Sequence, residues 1–177
     1  MIMPPADNNN PVRLAVRDDE DELMAMVQEM HPEAALRQPG GEPIALDEDM
    51  AREKLHRAIL PGYGHNEGVL PAWIGVLGER GAIKGSVYLS CATTWYSRHI
   101  ILVEEWLFVR RAHRRSTAAA TLADFAKQSA DAVNIHPLIV GHMSSGREEA
   151  KSRFYRRHFG SQIGGYYAHH GAQAGVL

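Results

Sequence analysis

The chain has 177 residues, enough for one domain around a single sizeable core. With 45% hydrophobic and 23% charged residues, it has the composition of a globular protein rather than a disordered one. A formal net charge of -2 excludes a general polyanion binder, and the single cysteine, Cys91, excludes an intrachain disulfide and a cysteine-rich zinc site.

Residues 1–10, MIMPPADNNN, read as a disordered leader, with prolines where a signal peptide needs an apolar run. No stretch reaches the length of a membrane span, so the expectation is a soluble, cytoplasmic protein with no membrane partner. In PVRLAVR, Val12, Leu14 and Val16 alternate with polar residues and predict a strand. The acidic run Asp18 to Glu22 predicts an N-cap and first helical turn, where negative charge suits the macrodipole. Leu23, Met26, Val27 and Met30 then form one helical face. HPEAALRQPGGEPIA, punctuated by prolines and glycines, reads as a loop. Asp47 can cap a second helix carrying Met50, Leu55, Ala58 and Ile59 and ended by Pro61 and Gly62. GYGHNEGVLP connects to two strands, AWIGVLGE and IKGSVYLSC, around a turn at Arg80-Gly81. RHIILVEEWLFV is a long strand with two mainly apolar faces, as expected of a central strand covered on both sides. A helix from Thr117 to Ala132 carries Ala118, Leu122, Phe125 and Ala126 on one stripe. PLIVGH reads as a short buried strand, REEAKSRFYRRHF as a helix and QIGGYYAHH as a final strand. The order is β-α-α-β-β-β-α-β-α-β in one α/β domain over residues 11–170, with a tail at 171–177.

VRRAHRRSTAAATLADFA, starting at Val109, places four arginines and a histidine just before a helix begins. A solvated basic loop, a nucleic-acid patch and a phosphate-binding turn all fit such a run. First-turn amides of a helix lack intrahelical partners and carry partial positive charge, and small residues let an anion approach the backbone. The stretch resembles the acetyl-CoA motif of the GNAT N-acetyltransferase superfamily, a strand ending near a Val and then R/Q-x-x-G-x-G/A at a helix start. Val109 falls at the Val, Arg114 at the first motif position, Thr117 where the first glycine is usual, and Ala119 at the Gly-or-Ala position. The resemblance covers nearly the whole element order. It implies a mixed central sheet splayed at the middle, with helices on both faces. It also implies that the backbone of Leu107, Phe108 and Val109 holds the pantetheine of acetyl-CoA, and that Arg114, Arg115, Ser116, Thr117, Ala118 and Ala119 hold its pyrophosphate. Arg147 stands where many relatives carry Asn and would contact cofactor phosphate.

Acetyl transfer to an amine needs a neutral nucleophile and a proton donor for the leaving thiolate, or solvent in that role. Glu104 and Glu105 interrupt an apolar strand, and a carboxylate desolvated there has the raised pKa of a general base. Adjacent strand residues face opposite sides, and Glu105 shares the parity of Val109, so Glu105 is the favoured base and Glu104 the alternative. RFYRRHFG resembles the family's A-x-x-x-F/L-Y-x-x-x-G-F helix end through Ala150, Phe154 and Tyr155, with the Gly-Phe pair inverted to Phe159-Gly160. By that resemblance Tyr155 donates the proton to the CoA sulfur.

Ten histidines include no H-E-x-x-H pattern and read as surface or tail residues, His169 and His170 among them, with no metal site implied. Cys91 reads as a small buried hydrophobe. Trp73, Trp95 and Trp106 read as core, with Trp95 and Tyr96 at a strand exit able to line an acceptor pocket. The resemblance implies an enzyme that moves an acetyl group from acetyl-CoA to an amine of a small molecule or protein by direct attack, with room for a homodimer. Two readings from other classes stand beside it: an inactive GNAT-fold protein that binds CoA as a regulator, and a nucleic-acid-binding module using the arginine clusters.

Overall fold

The computed structural model describes residues 11–34, 42–60, 70–141, 148–160 and 162. The expected leader, the final strand beyond Gln162, His169, His170, the tail and Arg147 lie outside the described residues. In chain order the elements are β1 (Val12–Leu14), α1 (Glu20–Ala34), α2 (Glu48–Ile59), β2 (Ala72–Leu77), β3 (Gly85–Thr94), β4 (Ser97–Val109), α3 (Ala118–Val133), β5 (Leu138–Ile139) and α4 (Glu148–Phe159). The strands form one sheet in the order β1-β2-β3-β4-β5, antiparallel up to β4, with β4 and β5 parallel. This is the mixed sheet with helices on both faces that the resemblance implies.

Strand alternation distributes the core between the two faces. Ile74, Val76, Tyr88 and Phe108 meet Leu23, Met26 and Val27 of α1 and Leu55, Ala58 and Ile59 of α2. Trp73, Val87, Leu89, Leu102 and Val109 meet Ala118, Leu122, Phe125 and Ala126 of α3 on the opposite face. Gly75 makes the second packing possible, because a Cβ there would lie 2.4 Å from Cε1 of Phe125. Gly81 takes φ +75 in the β2–β3 turn, which favours glycine. Cys91 is buried, and burial pushes its thiol up to about 11, so it is a packing residue.

The acidic run before α1 has two functions. Asp19 is buried and accepts Arg13 Nη1 and Nη2 at 2.7 and 2.8 Å and the Val16 amide at 2.9 Å. Burial alone would raise its carboxyl, but these hydrogen bonds hold it below the ordinary value. Glu20, Asp21 and Glu22 fill the first turn of α1. Asp47 caps α2 by accepting the Met50 amide at 2.9 Å, as its position predicts.

Three expectations need correction. The helix α1 does not stop before His31-Pro32 but runs through Pro32 to Ala34. Tertiary ion pairs on Glu33 hold this last turn against the lost proline hydrogen bond. Met50 is 54% exposed rather than core, since it sits in the first turn of α2, before the buried Leu55, Ala58 and Ile59. Trp95 and Tyr96 are 96% and 72% exposed. They form the tip of the β3–β4 hairpin, beyond Ser90, where β2 pairing ends, and beyond Leu102, where β5 pairing begins.

Candidate active site

The site forms where β4 and β5 part. Their ladder consists of Leu102 with Leu138 and Val103 with Ile139. Beyond it, from Glu104 to Val109, the β4 edge away from β3 has no strand partner among the described residues. Backbone groups on an open edge are available to an extended ligand that adds to the sheet.

A bulge at the same point decides how the two glutamates face. Tyr88 pairs with Trp106 and Leu89 with Glu104, so Glu105 is an extra residue with no ladder position opposite it on β3. The bulge shifts the alternation by one. Leu102 and Glu104 therefore share the face of Leu107 and Val109, so Glu104 and not the expected Glu105 lies on the Val109 side of the strand. Glu105 is exposed, and its Oε1 accepts the Ser90 hydroxyl at 2.6 Å. Glu104 is only 7% exposed.

Tyr155 of α4 donates its hydroxyl to Glu104 Oε1 at 3.2 Å. The helix turns Tyr155 inward with Phe159 one turn on, the two rings 5.8 Å apart, while Phe159 packs against the α3-side core. Burial raises the Glu104 carboxyl to about 8, against the lowering effect of the Tyr155 hydroxyl and the Gly141 amide. Its Oε2 is buried with no hydrogen-bond partner among the described residues. The same burial, reinforced by the neighbouring carboxylate, raises the Tyr155 hydroxyl well above its ordinary value and keeps it protonated. A buried carboxyl that titrates near neutrality beside a phenol that stays protonated is a proton acceptor next to a proton donor.

The basic turn after β4 is mostly neutralised from across the fold. Arg110 lies 3.7 Å from carboxylates of both Glu22 and Glu29. Arg111 meets Glu33 at 2.9 Å, and its amide donates to Glu29 at 3.2 Å. Arg114 donates Nε to the Val109 carbonyl at 2.9 Å, pairs with Glu33 at 2.9 Å, and lies 5.2 Å over the Phe108 ring. Three of the run's four arginines are thus tied to α1, which argues against a free nucleic-acid patch. Arg115 is exposed and has no ion-pair partner among the described residues.

The start of α3 has an ordinary geometry. Thr117 is the N-cap residue with φ -77, so no glycine is needed there for backbone conformation. Ser116 supplies the cap, with its Oγ accepting the Ala118 amide at 3.1 Å and donating to the His113 carbonyl at 2.6 Å. The first i→i−4 bond runs from the Thr121 amide to the Thr117 carbonyl at 3.0 Å, so the Ala119 and Ala120 amides precede it at the helix end. Ala119 and Ala120 are small and part-buried.

The sequence pointed to β4, the turn and Tyr155, but missed Glu33, Ser90 and the capping role of Ser116. A signal for Glu33 was present: Glu22, Glu29 and Glu33 recur at helical spacing along one side of α1, matching Arg110, Arg111 and Arg114 in charge.

No family model and no curated protein sequence matches the chain. Solved structures do. An integron cassette protein from the mobile metagenome of Cole Harbour salt marsh is 18% identical, with 94% of this chain and 93% of that one covered at a TM-score of 0.63. A ribosomal-protein-alanine N-acetyltransferase from Brucella melitensis biovar Abortus 2308 is 16% identical, with 89% and 95% covered at 0.59. A GNAT family acetyltransferase of Staphylococcus aureus is 12% identical, with 89% and 96% covered at 0.54. The chain has the GNAT acetyltransferase fold. Among the described residues, no helix of this GNAT-fold chain is long and apolar enough to cross a membrane.

Proposed function

We propose that the chain is an acyl-CoA-dependent N-acyltransferase that moves an acetyl group from acetyl-CoA to an amine of a small molecule or protein. The observation that carries this reading is the Tyr155–Glu104 hydrogen bond of 3.2 Å at the point where β4 and β5 separate.

The residues present fit acetyl-CoA. The open edge of β4 over Leu107, Phe108 and Val109 suits the amides of a pantetheine arm, which would share the Val109 carbonyl with Arg114 Nε. The turn from Arg115 to Ala119, with its exposed cation and helix-end amides, suits a pyrophosphate. In its bound state acetyl-CoA supplies the acyl group as a thioester. Glu104, as a carboxylate, accepts the proton of the attacking amine, and Tyr155 donates its hydroxyl proton to the leaving sulfur. The hydrogen bond between them then lets Glu104 return a proton to Tyr155, which restores both groups. Cys91 is buried and protonated, so direct attack by the amine suits this chain better than a covalent enzyme intermediate.

Thermal unfolding with and without acetyl-CoA tests the reading. A ligand that binds only the folded state raises the Tm, by an amount set by its concentration over Kd. The expected result is a rise that grows with acetyl-CoA concentration, followed by CoA release with an amine panel. No shift at millimolar acetyl-CoA overturns the reading.

A further inference from the structure

We infer that Glu33 of α1 regulates the affinity of the β4–α3 turn for phosphate by sequestering Arg111 and Arg114, leaving Arg115 as the turn's ligand-facing cation. Tied to the acyltransferase reading, this identifies Glu33 as a positioning residue for the nucleotide half of the cofactor.

The geometry is specific. The two oxygens of Glu33 are divided between two guanidiniums: Oε1 lies 2.9 Å from Arg111 Nη2 and Oε2 lies 2.9 Å from Arg114 Nη2. Arg111 also donates Nε to Oε1 at 2.9 Å. Arg114 is held further by the Val109 carbonyl and the Phe108 ring. The bridge is half-buried, with Glu33 and Arg114 side chains 31% and 32% exposed. Burial raises the Glu33 carboxyl, yet the hydrogen bonds from Arg114 and Arg111 outweigh this and keep it ionised. A phosphate reaching the turn therefore meets two guanidiniums that already share one carboxylate, so half of their charge is offset and both are held in place. Arg115, the next residue after Arg114, is exposed and unpaired among the described residues. The same bridge ties the last turn of α1 to the strand–helix turn, so removing the Glu33 charge alters the field at the α3 N-terminus without touching Glu104 or Tyr155.

The test is calorimetric titration of the full chain with acetyl-CoA and, separately, with inorganic pyrophosphate, at two salt concentrations. Glu33→Gln is expected to tighten both ligands about five-fold at low salt, with a steeper loss of affinity as salt rises. Arg115→Gln is expected to weaken both by at least a similar factor. Arg114→Gln is expected to weaken binding more in the Glu33→Gln background than in the wild type, the mark of a sequestered cation. If Glu33→Gln fails to fold, Glu33→Ala, which also removes the charge and keeps a strong helix former at this position, provides the same readout. Unchanged or weaker binding by the Glu33 variant, with an unchanged salt slope, overturns the inference and leaves the acyltransferase reading intact. If the wild type ignores acetyl-CoA, the acyltransferase reading fails. Pyrophosphate then decides the inference alone: tighter pyrophosphate binding by Glu33→Gln supports it, and no gain overturns it.

Discussion

The two sides of the β4 bulge hold the same side chain in opposite circumstances. Glu104 is buried against α4, raised to about 8 and bonded to a phenol. Glu105, the next residue, is exposed and bonded to Ser90. The covalent chemistry is identical, so the difference comes wholly from desolvation and hydrogen-bond partners. A carboxylate becomes a useful base near neutral pH where the fold removes water from it, and the bulge selects which of the two loses its water.

The largest expected effect is on turnover. Glu104→Gln should lower kcat by at least about 100-fold, whereas Glu105→Gln should lower it by less than about three-fold, both measured by CoA release with saturating amine. Equal losses, or the larger loss at Glu105, would erase the distinction between the two sides. Next comes Tyr155→Phe, expected to cost roughly 10- to 100-fold in kcat. Because the Tyr155 hydroxyl lowers the Glu104 carboxyl, its removal should also move the pH dependence to higher pH.

That dependence is itself a prediction. Glu104 is protonated below about 8 and cannot accept a proton there, so activity should rise with pH through about 8. Glu104→Gln should lose this limb, and Glu105→Gln should retain it. A smaller effect is expected in stability. Between the ordinary carboxylate value of ~4.3 and about 8, folded Glu104 holds a proton that the unfolded chain has lost, so rising pH across that window destabilises the fold. Relative to wild type, Glu104→Gln should therefore gain on the order of 10 °C in Tm at pH 9 and little at pH 5. Smallest of all, Ser90→Ala should change kcat by less than about two-fold, since it removes a partner only from the exposed carboxylate.

Much of the architecture was legible in the chain. The strand–turn–helix from Val109 to Phe125, the Asp47 cap and the Arg80-Gly81 turn all follow from short-range patterns, and they appear where those patterns put them. The errors share one cause. Met50 has the right helical spacing, but no neighbouring element among the described residues covers it. Pro32 reads as a stop, but an ion pair to a turn some eighty residues away keeps the helix going. Trp95 reads as core, but it lies at a hairpin tip beyond its neighbouring strands. Each outcome depends on what packs against the residue, which its immediate sequence does not carry.

The sequence by itself determined the element order from β1 to α4, the small-residue helix start after a basic turn, and the presence of two glutamates and a tyrosine as candidate proton carriers. Hydrophobic period, caps and turn residues act over a few positions and are written locally. Only the tertiary structure decided that Glu104 rather than Glu105 meets Tyr155, because a strand's parity is reset by its register against β3. It also decided that Arg111 and Arg114 face an α1 carboxylate, because charges distant in the chain are brought together only when the helix docks.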